Sequence, residues 1–342
     1  MNTTESTTES TTEAAVESTL ESAATQVRPR VAVSSCLLGA PVRFNGGHSR
    51  DRFLAGELDE YVDWVPICPE MEIGLGAPRE TLRLERGTDG PRLMTRRTRR
   101  DLTAEMAGLA AERAAEIGAV DGYVFKSKSP SCGLHGVPVY GGSAPGAPGR
   151  RGPGLFASAI TGAHPSLVVE DEGRLHDAVL REAFVERIFA AARLRALLSG
   201  DWRPRDLVGF HARHKMQILA HSPAAYRVIG RLVAAAGDLP RETLAREYGW
   251  AFRTALLVRA TIGRHVNVLH HFLGRISGDL DPVRRADLTE VIEAYRAHRV
   301  ALAVPLALLR HHAKGAGAGQ VQEQTYLSPY PDALRLRNHV PA

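Results

Sequence analysis

Three cysteines in 342 residues are the side chains best placed to do chemistry. Each closes an apolar run. Val31-Ala32-Val33-Ser34-Ser35 leads into Cys36, and Val62-Asp63-Trp64-Val65-Pro66-Ile67 leads into Cys68. Val120-Asp121-Gly122-Tyr123-Val124-Phe125 reaches Cys132 through a short polar loop. If these runs are neighbouring parallel strands, all three thiols emerge at one carboxyl edge, where open α/β sheets place their ligands. Three such thiolates with no fourth cysteine suit a metal or cluster site with one position left for chemistry.

The residues leave four readings open. A structural zinc would take a fourth ligand such as His48 or His135, but no local cysteine pair supports it. A single nucleophilic cysteine with a histidine base would make the other two coincidental. An iron–sulfur cluster on three thiolates would keep one iron free for substrate. Buried, inert thiols are the fourth reading. All three cysteines sit in polar turns, in Ser34-Ser35-Cys36-Leu37-Leu38-Gly39, Cys68-Pro69-Glu70 and Ser129-Pro130-Ser131-Cys132-Gly133. Such turns aim backbone N–H groups at an anionic group. Glu70 is placed for proton transfer, and Ser129 and Ser131 can donate to bound sulfur or oxygen.

Positioning these residues requires an α/β unit. Strands are expected at Arg30–Ser35, Trp64–Ile67, Gly122–Lys126 and Leu167–Val169, with a helix over Leu102–Ile117 capped by Asp101. That order predicts a mostly parallel sheet with flanking helices. The stretch from Gly136 to Gly154 holds seven Gly and four Pro in 19 residues and reads as loop. Beyond Glu170 the strand signals stop. Helical spacing runs through 175–198, 205–221, 223–236, 241–262, 265–274, 282–299 and 304–312, so an all-α bundle follows a boundary near residues 199 to 206.

Composition narrows the function classes. Residues 1–27 carry five Glu and no Lys or Arg, the reverse of a signal peptide, and read as a disordered acidic tail. No apolar stretch approaches the roughly 18 residues of a membrane span, so a cytoplasmic chain without a membrane partner is expected. There, scattered cysteines point to metal binding or catalysis rather than disulfides. From Asp201 onward, 20 Lys and Arg face 12 Asp and Glu, and 10 of the 14 His lie there. A basic bundle fits a polyanion such as RNA. The run Arg92, Arg96, Arg97, Arg99 and Arg100 reads as a solvated helix start or as phosphate contacts. Gly74-Leu75-Gly76 is followed by Ala77-Pro78-Arg79, which excludes a dinucleotide fingerprint.

The segment from Val31 to about Val169 resembles the TudS-type thiouracil desulfidases. The resemblance lies in SSCLLGAPVRFNGGHSR from Ser34, VPICPE from Val65, LGAPRE from Leu75 and KSKSPSCG from Lys126. The second half is similar to a companion domain often fused to it, through FHARHKMQILAHSPAAYRVIGRLVA from Phe210, VLHHFLG from Val268, VPLALLRHH from Val304 and YLSPYPDALRLRNHV from Tyr326. The fused arrangement resembles the RudS-type desulfidases of 4-thiouridine in tRNA. The resemblance implies a [4Fe–4S] cluster on Cys36, Cys68 and Cys132 with one iron not ligated by protein. It implies Glu70 and Ser129 as acid–base and positioning residues in a hydrolytic C–S cleavage without net redox. The expected domains are a tail over 1–29, an iron–sulfur desulfidase domain over 30–202 and a basic all-α RNA-binding domain over 203–342. Ser35, Ser131, Arg79, Arg213, Lys215 and Tyr226 are expected to contact substrate or RNA. Arg227, Arg231, Tyr326, Tyr330, Arg335 and Arg337 extend that basic and aromatic set. Two rivals are a desulfidase of free thiouracil or thionucleosides and a non-catalytic zinc protein that binds nucleic acid.

Overall fold

The structure is a computed structural model that describes residues 27–141 and 148–340. The expected acidic tail lies outside the described residues up to residue 26.

Alternating β-branched and small residues make Arg30–Ser34 a strand, β1, and full burial of Val31, Ala32 and Val33 puts it at the centre of a sheet. β2 (Asp63–Ile67) lies on one side of it, β5 (Gly122–Phe125) on the other, and β8 (Val169–Asp171) beyond β5. All three pairings are parallel, with Ser34 beside Ile67 and Val33 beside Val124. The turns that follow β1, β2 and β5 therefore leave one edge together. β8 starts two residues later than its apolar run suggests.

A second four-stranded sheet is hydrogen-bonded separately from the first but shares a core with it. β3 (Leu82–Arg86) and β4 (Pro91–Thr95) form an antiparallel hairpin, and β3 pairs in parallel with β6 (Val137–Tyr140). β6 turns back into β7 (Pro148–Gly152). This corrects two expectations. The Gly- and Pro-rich stretch is flanked by paired strands rather than being loop throughout, because Pro and Gly are tolerated on an edge strand such as β7. The arginine run is strand and turn rather than a helix start: Arg92 sits in β4, while Arg99 and Arg100 pair with Glu85 and Glu105.

Helix α1 (Thr103–Ile117) buries Met106, Ala110 and Ile117 along one stripe and packs against α2 (Leu155–Ala163). Its N-cap is Leu102 rather than Asp101, whose carboxylate accepts instead from the Thr103 N–H at 3.0 Å. α3 (Ala178–Ser199) is capped by Asp177, which accepts from Val179 N at 2.9 Å and Leu180 N at 3.0 Å. α3 joins the two halves. Phe184, Val185, Ile188 and Phe189 pack against β1 and β5, whereas Ala190 and Leu194 enter the core of the helical half. Arg195 on α3 grips buried Asp121 at the base of β5 through Nε at 3.0 Å and Nη2 at 2.8 Å.

Six long helices dominate the second half: α4 (Pro204–His221), α5 (Pro223–Ala234), α6 (Arg241–Leu257), α7 (Ile262–Ile276), α8 (Pro282–Arg296) and α9 (Ala303–Gly315). α6 ends at Leu257, five residues before its expected stop. The chain end then crosses back, and Tyr330, Leu334 and Leu336 share a core with Val31, Val33, Cys36 and Leu37. No helix of the described residues is long and apolar enough to cross a membrane.

Candidate active site

The three parallel strands deliver the three cysteines to one cavity. Cys36 lies in the single turn Ser35–Leu38 after β1, and Gly39, at φ +106°, folds back its N–H onto the Cys36 carbonyl at 3.3 Å. Cys68 follows β2 and caps the short turn Pro69–Glu72, accepting from Met71 N and Glu72 N at 3.0 Å each. Cys132 follows β5. Its loop is tightened at Ser129, whose Oγ accepts from Ser131 N at 3.2 Å and Cys132 N at 3.0 Å. Two glycines let this loop close. A Cβ on Gly133 would stand 2.5 Å from a Val137 methyl, and one on Gly154 would stand 2.5 Å from the Ser131 carbonyl oxygen.

The cavity has a volume of about 340 Å³ and is lined by all three cysteines together with Ser35, Glu70, Arg79 and Ser129. Ser131 lies just behind, fully buried. Glu70 is held from two sides. Its Oε1 accepts from Ser131 Oγ at 2.9 Å, and its Oε2 accepts from Arg79 Nε at 3.1 Å and also from Nη2. Arg79 is fixed in turn by Val42 O at 2.9 Å and Gly76 O at 2.6 Å. The Ser129 hydroxyl stands 3.5 Å from Glu70 Oε1, so its proton is only weakly engaged and remains available to the cavity.

Burial raises the pKa of all three thiols. Cys36 is pushed up to about 11, although the Lys126 ammonium partly opposes this, and Cys132 goes well above its ordinary value. Cys68 rises for the same reason. A nucleophilic cysteine needs the opposite shift, whereas a metal ligand gives up its proton on binding. The donor set therefore fits a soft metal group. Among the described residues no three Cys, His, Asp or Glu side chains are grouped to hold one metal ion. Thiolates of a cluster bind different irons and need not meet at one point.

Two lining residues, Lys126 and Lys128, were overlooked in the sequence although both sit in the KSKSPSCG block. Lys126 pairs with Glu172, which also accepts from Ser127 N at 2.6 Å and Ser127 Oγ at 2.6 Å. Burial pushes the Glu172 carboxyl up, but these hydrogen bonds outweigh it and hold the pKa below the usual value. Nothing local marks Glu172, which comes from just past β8.

The helical residues expected to meet RNA lie elsewhere. Arg213, Arg227 and Arg231 are exposed, and Lys215 and Tyr226 are half-buried. Tyr326, Tyr330 and Arg337 are a correction, for they are 0%, 5% and 7% exposed. Arg337 is spent on Glu182 at 2.8 Å and on the Tyr326 carbonyl at 2.6 Å, so these three hold the fold rather than offer a surface.

Comparison with known proteins places the chain's two halves in two families. The profile of the family described as 2-thiouracil desulfurase matches residues 31–172, the span that holds every cavity residue named above. The Bacillus subtilis (strain 168) protein YbbK, described as uncharacterized, is 31% identical over 150 residues, covering 42% of this chain and 96% of its own. The chain belongs to the 2-thiouracil desulfurase family. A second profile, for a protein of unknown function (DUF1722), matches residues 215–331 and so makes the desulfurase unit one half of a fused chain. Escherichia coli (strain K12) YbgA, also described as uncharacterized, is 29% identical over 156 residues, covering 44% of this chain and 90% of its own. The solved structure of the [4Fe-4S]-dependent thiouracil desulfidase TudS is 28% identical, with a TM-score of 0.35, covering 46% of this chain and 99% of that one.

Proposed function

We propose that this desulfurase-family chain converts 4-thiouridine in tRNA to uridine and releases hydrogen sulfide. It would use a [4Fe–4S] cluster held by Cys36, Cys68 and Cys132 with one iron free of protein ligands. The observation that carries the reading is the delivery of three thiols, two buried and that of Cys68 half-buried, from three parallel strands to one cavity beside a positioned carboxylate. When bound, the cluster would supply a thiophilic Lewis acid, which favours a thiocarbonyl over an ordinary uracil carbonyl.

The remaining steps fall to the chain's own residues. Glu70, oriented by Arg79 and Ser131, takes a proton from water as its oxygen attacks the C=S carbon. The Ser129 hydroxyl orients that water and donates toward the developing negative charge. The tetrahedral carbon then re-forms a carbonyl as the C–S bond breaks. Water has supplied the oxygen, the proton of the added hydroxyl passes to sulfur, which leaves as hydrosulfide, and the proton held by Glu70 completes hydrogen sulfide. No electrons are gained or lost overall.

The basic helical half supports RNA as the carrier of the base, through exposed Arg213, Arg227 and Arg231. A base in folded RNA must leave its stack to enter such a cavity. The second reading, free thiouracil, is favoured by the family's own description. Anaerobically reconstituted protein incubated with thiolated tRNA separates the two. Loss of 4-thiouridine absorbance with equimolar sulfide supports the tRNA reading, and turnover of free thiouracil alone refutes it.

A further inference from the structure

A second cavity, of about 370 Å³, adjoins the first across a wall of Thr81, Leu82, Lys128 and Pro130, which line both. Three cations face it, Arg83, Arg96 and Lys128, and no acidic residue does. Arg83 is already neutralised by Glu85 at 2.5 Å, and its guanidinium lies over the Tyr140 ring at 5.5 Å from the centroid. Arg96 and Lys128 differ. Their side chains make no ion pair or hydrogen bond with any described residue. Lys128 is moreover held at φ +61°, a conformation that non-glycine residues rarely adopt and that gathers at functional sites.

We propose that this cavity seats the nucleotide next to the thiolated one in an RNA strand, an inference that rests on the desulfidase reading and extends it. The phosphodiester between the two nucleotides would cross the shared wall to the free charges of Lys128 and Arg96. The neighbouring base would stack on the Tyr140–Arg83 pair, as bases do on aromatic and guanidinium planes. A lone phosphate would need the cations but neither the volume, which matches that of the first cavity, nor the aromatic platform. An RNA strand uses all three.

The test compares Arg96→Ala and Tyr140→Leu with the unaltered full-length protein. Three substrates are used: a short oligoribonucleotide with one 4-thiouridine, 4-thiouridine 5′-monophosphate, and free 4-thiouracil. Tyr140→Leu is expected to lose about tenfold or more in kcat/KM on the oligonucleotide alone, and Arg96→Ala to lose clearly more on the oligonucleotide than on the monophosphate. In fluorescence anisotropy with cluster-free protein, Arg96→Ala should flatten the salt dependence of oligonucleotide binding by about one unit of slope. Unchanged oligonucleotide kinetics, or an equal loss on the monophosphate, overturns the proposal. Should the unaltered protein desulfurise none of the three, the desulfidase reading fails, and anisotropy decides the subsite by itself. Weaker binding in both variants then keeps it, and unchanged binding removes it.

Discussion

Glu70 is the side chain on which the hydrolytic account turns. Glu70→Gln preserves shape and one acceptor oxygen for Arg79, yet removes the negative charge and the proton acceptor. It should retain iron and lose about 10² to 10⁴ in kcat, and a variant with near-normal turnover would show that Glu70 is not the base. Ser131→Ala removes one hydrogen bond to the same carboxylate, worth about 1 kcal/mol. Its kcat should fall by about three- to tenfold, and a loss as deep as that of Glu70→Gln would contradict a merely positioning role. Much of this was legible in the sequence. Cys36, Cys68, Cys132, Glu70 and Ser129 stand in polar turns after apolar runs, and those turns do meet. The contacts that orient Glu70 were not legible, because Ser131 and Arg79 approach it only once β2 and β5 are brought onto the same sheet. The Lys126–Glu172 pair was hidden for the same reason.

The elements matter through how closely they let the cysteine loops pack. Gly154→Ala would drive a methyl into the Ser131 carbonyl and should cost about 1 to 3 kcal/mol. Gly162→Ala, exposed in the short helix that Gly154 caps and with open space around it, should instead stabilise by about 0.5 to 1 kcal/mol. Urea unfolding of the two variants checks the contrast, and equal midpoints would deny that the Gly154 contact shapes the loop. The first sheet could be read because β5 and all of β1 beyond Arg30 are buried and so nearly continuous in apolar residues. The second could not. β3 and β4 are five residues each, β3 is mostly charged as Leu82-Arg83-Leu84-Glu85-Arg86, and β4 opens on Pro91-Arg92, so their arginines resemble a solvated surface. The Asp89-Gly90 pair between them was the signal for a hairpin. β7 was masked by glycine and proline, which an edge strand accepts.

At the scale of the whole molecule, the helical half carries buried and half-buried histidines that make it sensitive to acid. Burial draws His214 and His265 down to about 3 and His211 to about 4, whereas in an unfolded chain they take up protons near pH 6.5. The unfolded chain therefore binds more protons below about pH 6.5, and each such histidine lowers stability by about 1.4 kcal/mol per pH unit there. Glu186 adds to this below about pH 4. Its carboxyl is buried, which raises its pKa, but His221, Arg337 and Gln217 hold it far below its ordinary value. The urea midpoint should drop clearly between pH 7.5 and 5.5, and an unchanged midpoint would mean these histidines are already charged in the fold. The all-α half was legible from its helical periodicity. What periodicity could not reveal is that Tyr330, Leu334 and Leu336 return to the core behind Cys36, since a packing partner some 300 residues away leaves no local trace.

The central claim is that three thiols from three strands hold one iron–sulfur cluster. The most direct measurement is iron and acid-labile sulfide in anaerobically purified protein, for the natural chain and for Cys68→Ala. The account predicts about four of each per chain, lost on the substitution. Stoichiometric zinc without sulfide, or a Cys68→Ala variant with its full complement of iron, would contradict it.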